Sequence, residues 1–308
     1  MTTALISHAD CLDHVTPEGH PEQVARLEHV LHALASLDLR RVSAPLAEDE
    51  PILRVHPQAH LDRIKSAVPK SGQHQLDADT WLSPGSVTAA YRAAGAVVKA
   101  VDMVLSGEVQ NAFCAIRPPG HHAETQTPMG FCLFGNAAVA AKHALDHHGL
   151  SRVAVVDFDV HHGNGTQDLL WDDERALVVT SQQMPLWPGT GDKSERGKHG
   201  QIINIPLPPE STGAEMWAAY EARVFPKLRD FEPELLIISA GFDAHQDDPL
   251  AQLNWTTDDF RKLTAKLCQI AAETCGGRVV STLEGGYDLQ ALAVSTKAHV
   301  EELLEAGK

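Results

Sequence analysis

Cysteine is scarce. The 308 residues carry five (Cys11, Cys114, Cys132, Cys268 and Cys275), an odd number with no Cys-x-x-Cys pair. That argues against a disulfide framework and a cysteine-based structural zinc site, and it fits a reducing, cytoplasmic compartment. No apolar run approaches the roughly 20 residues that span a bilayer, and the basic segment and apolar core of a secretory signal are missing, so no membrane role is expected. Basic side chains are outnumbered, 25 Lys and Arg against 41 Asp and Glu. Without clustered cations to neutralise phosphates, nucleic-acid binding is not expected. The net charge of −16 suits cationic partners such as basic peptides or polyamines without specifying one. Repeats, low-complexity tracts and Gly/Ser linkers are absent too, so residues 1–308 read as one domain with room for a sizeable core.

What is present is an alternation of apolar runs and amphipathic segments. Thr2–Ser7, Ala112–Ile116, Arg152–Val156, Ala176–Thr180, Gln201–Ile205, Leu235–Ser239 and Arg278–Leu283 are short, mostly β-branched strand candidates. Pro21–Asp38, Ser83–Leu105 and Asn136–His148 read as helices, the last with Asn136 as N-cap and Gly149 as its stop. The pattern predicts an α/β fold of three layers, an open, mainly parallel sheet with helices on both faces. Unusual polar residues follow directly after the strands: Arg117–His122, Asp157–Asn164, Gly241–Asp248 and Glu284–Asp288. Ligand sites in such sheets form at the carboxyl ends of the strands, so these distant segments are expected to meet.

In Asp157-Phe-Asp159-Val-His161, alternation past Val156 would place Asp157, Asp159 and His161 on one side. Two carboxylates and an imidazole crowded together call for a cation, and Asp243 supplies a further oxygen ligand. A polar turn with a capping Asp is the plainer reading of that segment alone. An Asp, His, Asp set leaves a coordination position open, as in catalytic zinc sites, although Fe(II), Co(II) or Mn(II) also suits two oxygen ligands. His121-His122, in the stiff turn Arg-Pro-Pro-Gly-His-His, offers imidazoles for acid/base work. The other pair, His147-His148, sits at a helix end, where a solvated, dipole-complementing role is expected. Tyr287, one of three tyrosines, follows two glycines and can donate to a developing oxyanion. Gly130-Phe131-Cys132 and Leu186-Trp187 are loops that either wall a channel or simply pack.

Taken together, Arg117–Ala123, Gly130–Cys132, Asp157–Gly165, Pro188–Asp192, Gly241–Asp243 and Glu284–Leu289, in this order, resemble the histone deacetylase family of the arginase/deacetylase superfamily, and specifically its class II-like bacterial amidohydrolases. The resemblance implies zinc on Asp159, His161 and Asp243. It makes His122 the general base and acid, with His121 assisting, Asp157 orienting His121 and Asn164 orienting His122. Tyr287 would bind the scissile carbonyl, while Gly130, Phe131 and Trp187 would flank the acyl-lysine chain. A structural potassium ion is implied at Asp157, Asp159 and His161, with oxygen from Thr180 and Ser181. Gln182 stands where the family commonly has His. Leu250 stands where polyamine-selective relatives can carry an acidic gatekeeper, which favours acyl-lysine. Gly163 and His245 replace the additional Asp ligands of the binuclear arginases, so a single ion is expected.

The resulting expectation is a zinc-dependent amidohydrolase removing acetyl or short acyl groups from a lysine-like amine in a peptide, a protein or a small molecule. The alternatives are an acetylpolyamine amidohydrolase of the same mechanism and a non-catalytic acyl-lysine binding protein. A homo-oligomer remains open.

Overall fold

In the computed structural model, which describes residues 2–308, eight strands assemble into one parallel sheet, and His74–Gln75 and Trp81–Leu82 form a separate small antiparallel pair. The eight are β1 (Thr3–Ser7), β2 (Arg40–Ser43), β3 (Asn111–Cys114), β4 (Val153–Asp157), β5 (Ala176–Gln183), β6 (Ile202–Leu207), β7 (Leu235–Ala240) and β8 (Val279–Leu283). Their order across the sheet is β2-β1-β3-β8-β7-β4-β5-β6. The interior strands β3, β4, β7 and β8 are buried throughout. That is why they read as continuous apolar runs and not as alternating ones. Fully burying one Val, Leu or Ile stabilises by about 1.5–3 kcal/mol, so these strands anchor the sheet strongly. The sequence reading missed β2: its Arg40-Arg41 start is charged and exposed, as an edge strand tolerates.

The order places β8 and β7, late in the chain, between β3 and β4. The four polar loops therefore emerge from four adjacent strands. Register keeps their ends level, since Asp157 pairs with Ser239, Ala240 with Leu283, and Thr282 with Cys114. Among the helices are α1 (Val24–Ala33), α2 (Ser86–Leu105), α3 (Asn136–Lys142), α4 (Thr257–Cys275) and α5 (Leu289–Ala306). The first two lie inside the segments predicted to be helical. The third differs from its prediction. Gly135, not Asn136, is its N-cap, and after Lys142 the backbone widens into a π turn over His143–His147 before Gly149 ends it at φ +73°. Asn136 instead turns its amide to the Pro118 carbonyl (3.3 Å), bracing the His121-His122 turn.

Two histidines are locked neutral inside this frame. His299 bridges Thr264 Oγ1 (2.7 Å) and Ser281 Oγ (2.8 Å), and burial pushes its pKa down to about 3. His56 accepts the Gly135 N–H (2.9 Å), and burial, reinforced by His60, brings it down to about 3. Between pH 6.5 and 4 the unfolded chain protonates these imidazoles while the fold does not, so stability falls with falling pH. The expected loss at pH 4 is roughly 3 kcal/mol for each histidine. Urea midpoints measured across that range check this; a flat profile, or an equal slope in His299→Gln, would contradict it.

Candidate active site

The β4 strand ends at Asp157, but backbone bonds to its neighbours continue beyond it, from the Phe158 N–H to the Ser239 carbonyl (3.2 Å) and from the Gln183 N–H to the Val160 carbonyl (2.8 Å). Side-chain turns add to these. The Asp159 N–H donates to Asp157 Oδ1 (3.0 Å), and the His161 N–H donates to Asp159 Oδ1 (2.9 Å). Phe158 and Val160 are buried in the core between them, which keeps the alternation past the end of the strand. The Val160 N–H donates to Asp243 Oδ1 (2.9 Å), tying in the loop after β7.

Asp159, His161 and Asp243 are all buried and offer ligand atoms within 4.8 Å of one another. His161 Nδ1 lies 3.2 Å from Asp159 Oδ1 and 3.1 Å from Asp243 Oδ2. Burial opposes charge on His161, but these two carboxylates hold its pKa up at about 10; burial and Asp159 push Asp243 up to about 7. Two desolvated carboxylates around one imidazole strongly favour added positive charge, which is the property a divalent ion satisfies. Space enforces the same conclusion: a Cβ on Gly285 would sit 2.4 Å from Asp243 Oδ2 and 2.5 Å from Asp159 Oδ2. Gly163 has similar constraints, with Asp157 Oδ2 2.5 Å from a Cβ built there, so the position has no room for an extra metal-binding side chain. His245 is also turned elsewhere, its Nδ1 accepting the Asp247 N–H (3.2 Å).

The adjacent histidines are electrostatic opposites. His121 Nδ1 meets Asp157 Oδ2 at 2.9 Å, and its Nε2 is 3.7 Å from Asp159 Oδ2. Burial opposes its protonation, yet Asp159, Asp157 and Glu284 outweigh it and hold the pKa well above the usual histidine range. His122 Nδ1 meets the neutral Asn164 Oδ1 at 2.7 Å. Burial, then repulsion from His121 and His161, hold its pKa well below that range. Asn164 Nδ2 donates to Glu124 Oε1 (2.8 Å), which fixes the amide orientation. His122 therefore carries its proton on Nδ1 and presents a lone pair at Nε2.

Tyr287 is held by its backbone and its ring. Its N–H donates to Asp248 Oδ2 (2.7 Å), and the Arg26 guanidinium lies 5.0 Å from the ring centroid. Burial raises the phenol pKa; Asp243 and Asp159 add to that, and Arg26 only partly offsets it, so the hydroxyl stays protonated well beyond neutral pH. Phe131, at φ +69°, packs edge-on to Tyr287 with centroids 5.8 Å apart. Its strained backbone is pinned by bonds from its N–H to Thr80 Oγ1 (3.1 Å) and from the Gly130 N–H to Asp79 Oδ1 (3.0 Å). Trp187 packs edge-on to His122 (4.7 Å) yet is 42% exposed, so it joins the site to the surface. Leu250 is 36% exposed, in the loop carrying Asp248.

Gln182 now has a role. Its Nε2 donates to the Gly191 carbonyl (2.7 Å) and its Oε1 accepts from Thr180 Oγ1 (3.0 Å), tethering the loop that carries Trp187. The single Thr180 hydroxyl hydrogen is shared between Gln182 Oε1 and the nearer Asn204 Oδ1 (2.7 Å), whereas Ser181 Oγ points to the Asp157 carbonyl (3.4 Å) and the Tyr220 hydroxyl (2.8 Å).

Sequence reading missed a buried scaffold under these residues. Glu284 accepts the N–H groups of Gly120 (2.7 Å) and His121 (3.1 Å) and the Ser239 hydroxyl (2.8 Å), fixing the histidine turn. Arg26 donates to the carbonyls of Gly286 (2.7 Å) and Glu284, and pairs with Glu22, which also holds Arg117. The signal for Glu284 was a carboxylate directly after an apolar strand. Glu22 and Arg26 stand four residues apart, a spacing that reads as an ordinary surface pair, and their burial depends on partners more than 90 residues away, Arg117 and the loop after β8.

A family model described as the histone deacetylase domain matches residues 20–303. A histone deacetylase-like amidohydrolase of Pseudomonas aeruginosa is 40% identical, covering 92% of this chain and 77% of that protein. A probable deacetylase of Archaeoglobus fulgidus is 35% identical over 94% and 82% of the respective chains. A crystal structure titled the HDA15 HD domain superposes with a TM-score of 0.92 at 32% identity, covering 98% of this chain and 90% of that one. With the strand order and the site geometry in agreement, the chain belongs to the histone deacetylase family and is a hydrolase acting on amide bonds.

Proposed function

We propose that this protein is a zinc-dependent lysine deacylase acting through one catalytic domain. The observation that carries the reading is the placement of His121 on the Asp157 carboxylate (2.9 Å) and of His122 on the Asn164 amide oxygen (2.7 Å), beside the Asp159, His161 and Asp243 set. A divalent ion held by those three residues would polarise the amide carbonyl and acidify water. Nε2 of His122 takes the proton of the attacking water and later returns it to the leaving amine. Tyr287 donates its hydroxyl hydrogen to the oxygen that gains charge. His121, anchored on Asp157, stays cationic and stabilises the negative charge that develops nearby. Asp157, the backbone of Asp159 and His161, and the hydroxyl oxygens of Thr180 and Ser181, which keep lone pairs when their hydrogens are donated, would hold a potassium ion beside this set.

Phe131 and Trp187 wall the approach for an alkyl chain, and the uncharged Leu250 gives no selectivity for a free ammonium group, which favours acyl-lysine over acetylpolyamine. Five buried, unpaired cysteines suit a reducing compartment such as the cytoplasm, and no helix among the described residues is long and apolar enough to cross a membrane. The deciding experiment compares kcat/KM of metal-quantified enzyme on an acetyl-lysine peptide, longer acyl-lysines and acetylputrescine. The peptide is expected to win; preference for acetylputrescine replaces the lysine reading. Tight binding without hydrolysis of any of them leaves a binding protein.

Asn164→Asp tests the tuning of His122. A carboxylate at Nδ1 favours the imidazolium, so the His122 pKa rises and the base is lost at higher pH. The acidic limb of kcat/KM should move upward; an unmoved limb would detach Asn164 from the titrating base.

A further inference from the structure

At the opposite edge of the sheet, before β4 begins, the π turn gathers three imidazoles. Normal α winding, at roughly 3.6 residues per turn, would carry the fifth residue beyond His143 away from its face. Here the His148 N–H reaches the His143 carbonyl (3.3 Å), so the wider turn returns His148 alongside His143 and His147. Single π turns inside helices recur at functional sites. The His143 and His147 rings stack with centroids 4.6 Å apart, and His148 stands edge-on to both at 5.1 and 5.0 Å. A ring nitrogen from each lies within 4.8 Å of the others.

Asp102, near the end of α2, orders the cluster. Its Oδ1 lies 2.8 Å from Nε2 of both His143 and His148. An imidazole that donates Nε2–H to a carboxylate carries its lone pair on Nδ1, the arrangement by which carboxylates prepare histidine ligands for metals. His143 is 4% exposed, and its buried Nδ1 has no hydrogen-bond partner among the described residues. A buried ring nitrogen without a partner is costly unless something accepts its lone pair.

We infer that His143, His147 and His148, backed by Asp102, form a second metal site, separate from the catalytic one, for a borderline transition-metal ion such as Zn²⁺, Ni²⁺ or Cu²⁺. Imidazole suits these ions and not Mg²⁺ or Ca²⁺. Nitrogens sharing a tetrahedral zinc lie about 3.3 Å apart, and His147 and His148, both exposed, have the freedom to close that distance. This revises the expected role of the His147-His148 pair from solvated helix end to ligand.

The test is calorimetric titration of Zn²⁺ into the untagged, chelator-stripped full chain. Wild type should bind a second equivalent, which Asp243→Asn retains and which His147→Ala and His148→Gln lose. Both histidine variants should keep the wild-type melting temperature without metal and turn over within about 2-fold of wild type at one equivalent of zinc. Asp102→Asn should weaken the second equivalent by about 10–100-fold, as loss of a carboxylate behind a histidine ligand does. A single equivalent in wild type, or a second one surviving in both histidine variants, overturns the site. Neither result bears on the catalytic reading, since deacylation is measured separately at the first equivalent.

Discussion

His122→Ala is expected to lower kcat by about 10²–10⁴-fold while bound metal stays at the wild-type level. Adjacent histidines on one turn look equivalent in sequence, and their partners make them unequal. His121 faces Asp157, Asp159 and Glu284 and is held as a cation, which cannot accept a proton. His122 faces Asn164 and two other histidines and is held neutral, which can. Its depressed pKa means that acidification through the ordinary histidine range does not disable it, so activity should persist below pH 6.5. His121→Ala should cost less, because it removes a charge that assists and not the proton carrier. Steady-state kinetics with metal analysis on both variants checks the assignment. If His121→Ala abolished turnover while His122→Ala retained it, the roles would be reversed.

Tyr287→Phe is expected to lower kcat by on the order of 100-fold or more, with metal content and KM nearly unchanged. The substitution removes only the hydroxyl. The ring keeps its place over Arg26 and against Phe131, and the backbone N–H keeps its bond to Asp248. What disappears is a donor whose raised pKa keeps it protonated at every working pH. A hydrogen bond that strengthens as the carbonyl oxygen gains charge acts on the transition state more than on the bound substrate, so the loss belongs in kcat. An enzyme of undiminished turnover would remove Tyr287 from the chemistry; a rise in KM alone would make it a substrate-binding residue.

The scaffold beneath these groups shows where sequence reading stops. Buried parallel strands declare themselves through apolar runs, and polar residues directly after such runs mark the ligand edge. Asp159, His161, Asp243, His121, His122 and Tyr287 were therefore legible in the primary structure. The Asn164 partner of His122 entered only through family resemblance, because nothing local says which amide a distant imidazole meets. Glu22 and Arg26, four residues apart, form a buried ion network with the distant Arg117. Breaking one arm of such a network costs about 3–5 kcal/mol, yet local pattern does not say that the three residues meet. The π turn was invisible for another reason. Helical periodicity predicts an α-helix through His148 and does not register a single wider turn, nor the distant Asp102 that meets two of its histidines.

By itself the sequence determined the class of fold and named the candidates for a divalent ion and for acid/base work. Each follows from local chemistry: strand composition, ligand type and the position of polar residues after apolar runs. The tertiary structure decided the order β3-β8-β7-β4, which sets loops from residues 117, 157, 241 and 284 side by side. It also decided that His121 meets a carboxylate and His122 an amide, which pushes their pKa values in opposite directions, because those partners come from segments far apart in the chain. The identity of the general base is a property of the assembled site and not of the His121-His122 dipeptide.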